Sequence, residues 1–530
     1  LSSLRENLNY EPRDLRFGTS GRRGRVLDLT QLEIYISVAG ELEFLQSLPA
    51  SEGGIRRGDE FFVAHDLRPS SIRFDPDQQN RGELCQAGIQ AIRDAGLTPV
   101  NLGPLPTPAL TCYALERKRG SLMVTGSHIP FDLNGYKLNR SIGELLKEHE
   151  GPINQSVEKV RARIYGEPFE TSRFNERGML RGGHCDLPPA SPEGRAAYLK
   201  RYESFFSGQD LKGRRILVYQ HSAVGRDLLA ELLEHFGAEV VVRGRSDEFV
   251  AIDTEAIGQA ELSAIQDLAD EAGPLWAIVS TDGDSDRPLI LGFENGQARF
   301  VGGDLVGMVV AEYLGADAVV VPVTCNDAID RGSLASALEP KTRIGSPFVV
   351  AGMTAAQAKG RKRVCGWEAN GGFLLGSDIE RNGRVLSALP TRDAFLPILG
   401  VLLSACSQGL ELSEVFQRLP KRFSRAALLR NFPRDDGKRL TTALGALQPS
   451  RLEPFFPGFG RIDRIDLTDG VRIYFENGDV AHFRPSGNAD EFRIYAVADS
   501  QERANEIVDA GIAEPSGIIR SLARAFLKCG

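Results

Sequence analysis

Short apolar runs alternate with amphipathic stretches through most of the chain. The first set is Phe61-Phe62-Val63-Ala64-His65-Asp66, a helical stretch over residues 84–95 and a second apolar run over 98–102. The second is residues 215–219, a helix over 226–236 and Glu239-Val240-Val241-Val242. The third is residues 318–323, a helix over 327–338 and a return at Thr342-Arg343-Ile344. Continuous Val, Ile and Leu runs between helices predict parallel strands covered on both faces, and the repetition predicts three related α/β sandwich domains. From about residue 413 the pattern changes to alternation. Val471-Arg472-Ile473-Tyr474-Phe475 and Val480-Ala481-His482-Phe483-Arg484, joined by Glu476-Asn477-Gly478-Asp479, predict a β-hairpin in an α+β C-terminal domain.

Residues 181–192, Arg-Gly-Gly-His-Cys-Asp-Leu-Pro-Pro-Ala-Ser-Pro, suit neither a helix nor a central strand and read as a linker. With further breaks near Gly302-Gly303 and Gln408-Gly409, the expected domains are 1–185, 186–300, 301–410 and 411–530. A chain of 530 residues is too long for one core, which agrees with several domains.

Composition narrows the function. With 25% charged and 42% hydrophobic residues the chain is globular, and no apolar run approaches the ~20 residues that span a bilayer. A formal net charge of -8 argues against nucleic acid as a partner and leaves room for a local basic pocket that holds a small anion. The seven cysteines are scattered without CxxC spacing, so neither a disulfide framework nor a zinc knuckle is expected. With no apolar leader at the start, a cytoplasmic protein is the expectation.

Four loops carry candidate chemistry. Ser121-Leu122-Met123-Val124 is an apolar strand that runs into Thr125-Gly126-Ser127-His128-Ile129-Pro130, placing the Ser127 hydroxyl at a strand's C-terminal end, where ligands of α/β sheets gather. A serine-hydrolase triad is excluded, because no Gly-x-Ser-x-Gly elbow is present and His128 is poorly placed to deprotonate its neighbour. Asn134-Gly135-Tyr136-Lys137 adds a cation that can face a phosphate held near Ser127. The apolar run before Asp282-Gly283-Asp284-Ser285-Asp286-Arg287 delivers three carboxylates at alternate positions, whose mutual repulsion calls for a divalent cation, Mg²⁺ by its preference for hard oxygens. An EF-hand would need Gly at Arg287 and Glu at Phe293, and a haloacid-dehalogenase loop would need Thr or Val at Asp286. Gly366-Trp367-Glu368-Ala369-Asn370-Gly371-Gly372 offers a carboxylate and an amide suited to sugar hydroxyls. Arg484-Pro485-Ser486-Gly487-Asn488 lies between strands, where backbone amides can cradle an anion beneath Arg484 and Arg493. The Gly208 to Gly213 spacing mimics a P-loop, but Arg214-Arg215 replaces the required Lys-Ser/Thr.

Taken in order, Arg16-Phe17-Gly18-Thr19-Ser20-Gly21-Arg22-Arg23-Gly24, the Ser127 loop, the Asp loop, Glu368-Ala369-Asn370-Gly371 and the Arg484 loop resemble the α-D-phosphohexomutases over nearly the whole chain. The wording Thr-Gly-Ser-His-Ile-Pro and Arg-Pro-Ser-Gly-Asn-Ala is most similar to the bacterial phosphomannomutase branch. The resemblance implies four domains around a central cleft and a Mg²⁺-dependent mutase. In it Ser127 is a phosphoserine that also completes the metal site of Asp282, Asp284 and Asp286. Arg23 and Lys137 lie beside the reacting phosphate with His128 nearby, Arg287, Glu368 and Asn370 bind the substrate, and Arg484, Ser486, Gly487, Asn488 and Arg493 hold its other phosphate. A hexose 1,6-bisphosphate is the implied intermediate and activator. Ile129, Asn370, Ser346 and Asp490 depart from the common family wording, so glucose and glucosamine phosphates stay open as substrates beside mannose phosphates. A non-catalytic sugar-phosphate binding protein on the same fold is the rival of another class.

Overall fold

The structure, a computed structural model, describes residues 2–18, 21–255, 257–486 and 490–527. Among these residues the main strands form four sheets that follow one another along the chain. The first contains β1 (Arg22–Arg25), β2 (Glu60–His65), β3 (Thr98–Pro104), β4 (Ser121–Val124) and β5 (Leu133–Arg140), in the order β1-β5-β4-β2-β3. The second contains β6 (Arg215–His221), β7 (Glu239–Arg245), β8 (Ala277–Thr281), β9 (Pro288–Glu294) and β10 (Gln297–Phe300), in the order β7-β6-β8-β9-β10. The third holds β11 (Ala318–Val320), β12 (Val364–Trp367), β13 (Phe373–Leu375) and β14 (Leu389–Asp393) in chain order. The fourth holds β15 (Phe423–Arg430), β16 (Ile462–Asp466), β17 (Val471–Phe475), β18 (Val480–Pro485) and β19 (Glu491–Ala498), in the order β15-β19-β18-β17-β16, antiparallel throughout.

The internal echo is a repeated topology. In the first sheet β2 pairs in parallel with β3 and β4, and β5 then runs antiparallel to β4. In the second, β6 pairs in parallel with β7 and β8, and β9 runs antiparallel to β8. The third keeps this plan in reduced form. β11 pairs in parallel with β12 and β13 runs antiparallel, while the expected outer strand contributes only the parallel bridges Val319 to Leu338 and Pro322 to Thr342. The helix expected over 327–338 is replaced by two short 3-10 turns, Asp327–Asp330 and Ser333–Ser336. Gly332 separates them, and the Asn326 side chain, accepting from Ala328 N, starts the first as a capped turn.

Packing welds the first three sheets together. Phe62 and Met123, Val218 and Ile290, and Val319 and Trp367 belong to one continuous core, built around helices 107–116, 193–205, 303–314 and 395–408. Leu412, Val415 and Leu419 join that same core. The fourth sheet has its own core, from Leu429 to Leu522, and meets the rest through polar contacts. Arg422, fully buried, donates to Asp327 (2.6 Å) on one side and to Asp499 (2.5 Å) on the other. Ile344 N donates to Asp469 Oδ2 (3.0 Å), and Arg493 lies 3.6 Å from Glu255.

Candidate active site

In each of the first three sheets the candidate loop occupies the same place, the turn between the third strand of the repeat and its antiparallel neighbour. Residues 125–132 join β4 to β5, 282–287 join β8 to β9, and 368–372 join β12 to β13. The 484–493 stretch likewise spans the turn from β18 to β19. One topological position, used three times, therefore sets three candidate loops at corresponding ends of their sheets.

The Ser127 and carboxylate loops are in direct contact. Ser127 Oγ donates to Asp282 Oδ2 over 2.8 Å. Ser127 takes φ +56°, and its N–H is held by Thr125 Oγ1 (2.8 Å), which donates to Asp66 Oδ2 (2.8 Å). Left-handed φ at a non-glycine residue persists where surrounding bonds over-determine it. His128 Nδ1 lies 3.4 Å from Ser127 Oγ. Burial, then the neighbouring Arg287, Arg23 and Arg493, hold the imidazole well below its ordinary value, so His128 is neutral at physiological pH.

The three aspartates are buried, and their ligand oxygens lie within 4.8 Å of one another. Lys137 Nζ donates to Asp284 Oδ2 (2.6 Å) and Asp286 Oδ2 (2.8 Å). Thr107 Oγ1 donates to Asp284 Oδ2 (2.5 Å), and Arg392 Nε to Asp286 Oδ2 (3.1 Å). Burial, then the other two acids, push Asp282 well above the usual carboxylate range. Asp284 and Asp286 feel the same burial, but Lys137 outweighs it at Asp284, and Arg392, Lys137 and Arg287 outweigh it at Asp286, so both are held low. Asp284 Oδ1 and Asp286 Oδ1 are buried with no hydrogen-bond partner among the described residues. Two such carboxylate oxygens beside Asp282 and the Ser127 hydroxyl form an all-oxygen donor set that fits a small hard dication.

Around this centre, burial and then Arg287 bring Arg23 down to about 10, which leaves it protonated at neutral pH. Arg287 lies 3.5 Å from Asp286 Oδ1. Glu368, on the third sheet, accepts from Arg392 Nη1 at 3.0 Å. Asn370 uses its Oδ1 to accept from Gly372 N (3.0 Å), and its backbone oxygen accepts from Thr254 (2.8 Å). Its side chain thus shapes its own loop from within. Arg484 and Arg493 face each other across β18 and β19, and Ser486 N donates to Glu491 O (2.8 Å). Gly487 and Asn488 lie outside the described residues. Ser346 donates to Glu144 Oε2 (2.7 Å), and Thr391 to Glu144 Oε1 (2.6 Å), which ties the first sheet to the third.

Sequence reasoning missed Arg392, Thr107 and Asp66. Arg392 sits in Leu389-Pro390-Thr391-Arg392-Asp393, ahead of an apolar helix, with no local feature to distinguish it from a surface arginine.

The chain matches the family model for phosphoglucomutase/phosphomannomutase alpha/beta/alpha domain I over residues 14–163 and that for domain III over 302–423. It is 38% identical over 500 residues to a phosphomannomutase of Sinorhizobium fredii, covering 94% of this chain and 98% of that one. It is 37% identical over 516 residues to a phosphomannomutase of Salmonella muenchen, covering 96% and 97%. The fold resembles a phosphoglucomutase/phosphomannomutase family protein from Burkholderia thailandensis, with TM-score 0.65 at 18% identity over 96% of this chain and 97% of that one. It also resembles Aspergillus fumigatus N-acetylphosphoglucosamine mutase, solved with GlcNAc-6P and magnesium, with TM-score 0.56 at 14% identity over 98% of each chain. The chain belongs to the phosphoglucomutase/phosphomannomutase family.

Proposed function

We propose that this chain is a phosphomannomutase, an isomerase that interconverts mannose 6-phosphate and mannose 1-phosphate through a phosphorylated Ser127. The contact that carries the reading is Ser127 Oγ at 2.8 Å from Asp282 Oδ2, between loops 155 residues apart. A buried hydroxyl set against three acids with two unfilled oxygens is an arrangement for phosphoryl transfer.

Asp282, Asp284, Asp286 and Ser127 would hold Mg²⁺, which when bound withdraws charge from the phosphoryl oxygens. The free hydroxyl of the hexose phosphate attacks phosphorus, its new O–P bond forms as the bond to Ser127 Oγ breaks, the hydroxyl's proton ends on Ser127 Oγ, and a hexose 1,6-bisphosphate results. Arg23, Lys137 and Arg287 supply fixed positive charge around the transferring group. Neutral His128 can accept a hydrogen bond beside Ser127 without adding charge. Glu368 and the Asn370 loop orient the sugar. Arg484, Ser486, Gly487, Asn488 and Arg493 grip the phosphate that does not react, and this grip serves either end of the sugar, so the bisphosphate can turn over and return its other phosphate to Ser127. The four sheets, and the change of core near Arg422, support four units around a cleft. The six free cysteines among the described residues support a cytoplasmic setting, and no helix there is long and apolar enough to cross a membrane.

Intact-mass measurement tests the reading. Incubation with glucose 1,6-bisphosphate and Mg²⁺ adds one phosphate to the wild-type chain and none to Ser127→Ala, and phosphorus NMR follows mannose 1-phosphate turning into mannose 6-phosphate. A wild-type chain that carries no phosphate even after that incubation is a sugar-phosphate binder instead. Equal kcat/KM for glucose 1-phosphate and mannose 1-phosphate would remove the mannose preference.

A further inference from the structure

The nucleophile and carboxylate loops stand on different sheets, and two residues outside both loops fix one against the other. Arg68 is fully buried and donates all five of its N–H groups. Nε goes to Asp66 Oδ2 (3.1 Å), Nη1 to Pro130 O (2.7 Å) and Leu133 O (2.9 Å), and Nη2 to Ser127 O (2.9 Å) and Ile129 O (2.5 Å). Four of the five bonds therefore end on carbonyls between Ser127 and Leu133. Asp66 closes the circuit, accepting from Thr125 Oγ1 (2.8 Å) and Gly126 N (3.3 Å).

One face of this guanidinium carries a ring that belongs to the second sheet's part of the chain. Arg68 Cζ lies 3.8 Å from the centroid of Phe249, in the segment after β7. That segment is itself tied down, with Val250 N donating to Ser222 Oγ (2.8 Å) and Arg226 Nη1 to Ser246 O (2.8 Å). Phe249 also packs on the carboxylate loop. A methyl group placed on Gly283 would come 2.9 Å from Phe249 Cζ and 2.6 Å from Ser127 O. Arg68, Phe249, Gly283 and the Ser127 carbonyl thus close a ring of contacts that leaves neither loop room to slide.

We propose that the Arg68–Phe249 stack is a positioning pair that sets Ser127 in register with the aspartates. This rests on the reading of Ser127 as the phosphate acceptor. Neither side chain touches the reacting oxygen, and the sugar and phosphate loops stand on other sheets, so the pair acts on the transfer step and leaves substrate affinity alone. A guanidinium covered by an aromatic face and saturated with carbonyls has no equivalent in lysine, whose three donors cannot serve four carbonyls and a carboxylate.

Three Phe249 variants, read by steady-state kinetics, by phosphate uptake from glucose 1,6-bisphosphate and by hydrogen exchange of metal-free protein, test the proposal. A displacement of ~1 Å lowers rates by about 10²-fold. Phe249→Ala is expected to lower kcat and the rate of phosphate uptake by about 10- to 100-fold, with KM within about twofold. Phe249→Leu keeps apolar bulk without a π face and stays impaired, whereas Phe249→Tyr restores the wild-type rate. Arg68→Lys loses kcat without recovery. In the metal-free Ala and Leu variants, amides 127–133 exchange faster than in wild type, a readout that needs no turnover. Wild-type kcat in Phe249→Leu, or unchanged exchange at 127–133 in Phe249→Ala, overturns the pin. A wild-type chain that never takes up phosphate overturns the acceptor reading instead.

Discussion

Arg392 Nε lies 3.1 Å from Asp286 Oδ2, and the same guanidinium reaches Glu368 Oε2 at 3.0 Å through Nη1. One buried side chain from β14 thus joins the carboxylate loop of the second sheet to the 368–372 loop of the third. The planar fork serves two carboxylates in fixed directions, which an ammonium cannot reproduce. Arg392→Met leaves both acids short of a partner, and breaking a buried pair costs about 3–5 kcal/mol. Steady-state assays should show kcat/KM at least about 10²-fold lower, with Arg392→Lys between that variant and wild type.

The three aspartates should not respond alike to neutralisation. Burial and two like charges push the Asp282 carboxyl up, so its charge is the least well compensated of the three, and Asp282→Asn should cost less stability in metal-free protein than Asp286→Asn. Asp286 is held low and faces Lys137, Arg392 and Arg287. Asp286→Asn leaves those cations under-compensated and should destabilise the metal-free protein by about 3 kcal/mol or more. Thermal unfolding with chelator measures both, and equal losses in the two variants would contradict this assignment.

Added Mg²⁺ should raise the melting temperature of the wild type, by the equivalent of about 2.7 kcal/mol when the ion stands at 100 times its Kd. Asp282→Asn and Ser127→Ala should each reduce that gain, and Asp284→Asn should abolish it. Calorimetric titration with MgCl₂ gives the affinity independently of turnover.

Buried histidines should make the protein acid-sensitive. Burial brings His221 down to about 4, and burial together with Arg472 holds His482 well below its ordinary value. Above pH ~6.5 both are neutral whether folded or unfolded, and they contribute nothing to the pH dependence. As pH falls below that value the unfolded chain binds protons that the folded chain refuses, so stability drops by about 1.4 kcal/mol per pH unit per histidine. For His221 the loss continues until about pH 4. His482→Gln keeps a donor for the Asp469 carbonyl and should flatten the acid limb of a stability-versus-pH curve.

Gly307, in helix 303–314, packs directly on the ring that precedes Glu368. A Cβ there would come 2.3 Å from Trp367 Cγ, and Trp367 is buried. Gly307→Ala should therefore cost about 1–3 kcal/mol through overpacking and disturb the sugar loop, visible as a raised KM. Gly151→Ala, on an open helix surface, should be neutral or stabilising by about 0.4–1 kcal/mol.

Much of the repeat was legible locally. Phe61 to His65 and Arg215 to Tyr219 are strands because their continuous apolar character suits a surface buried on both sides, and the Glu476-Asn477-Gly478-Asp479 turn was plain from its composition. The stretch 327–338 misled, since its helical periodicity is cut by Gly332 and its Asp327 is held by Arg422, 95 residues away. A window of sequence carries no trace of such a partner.

Residue identity along the chain determined that a hydroxyl, three alternating acids, an acid–amide loop and a basic loop each end a strand, because strand periodicity and turn chemistry are local properties. Tertiary packing alone decided that Lys137 and Arg392 neutralise the acids, that Asp66 holds the Ser127 turn, and that Glu144 joins the first sheet to Ser346 and Thr391. Charge pairing depends on distance through space and on the exclusion of water, and neither is set until distant segments are folded against one another.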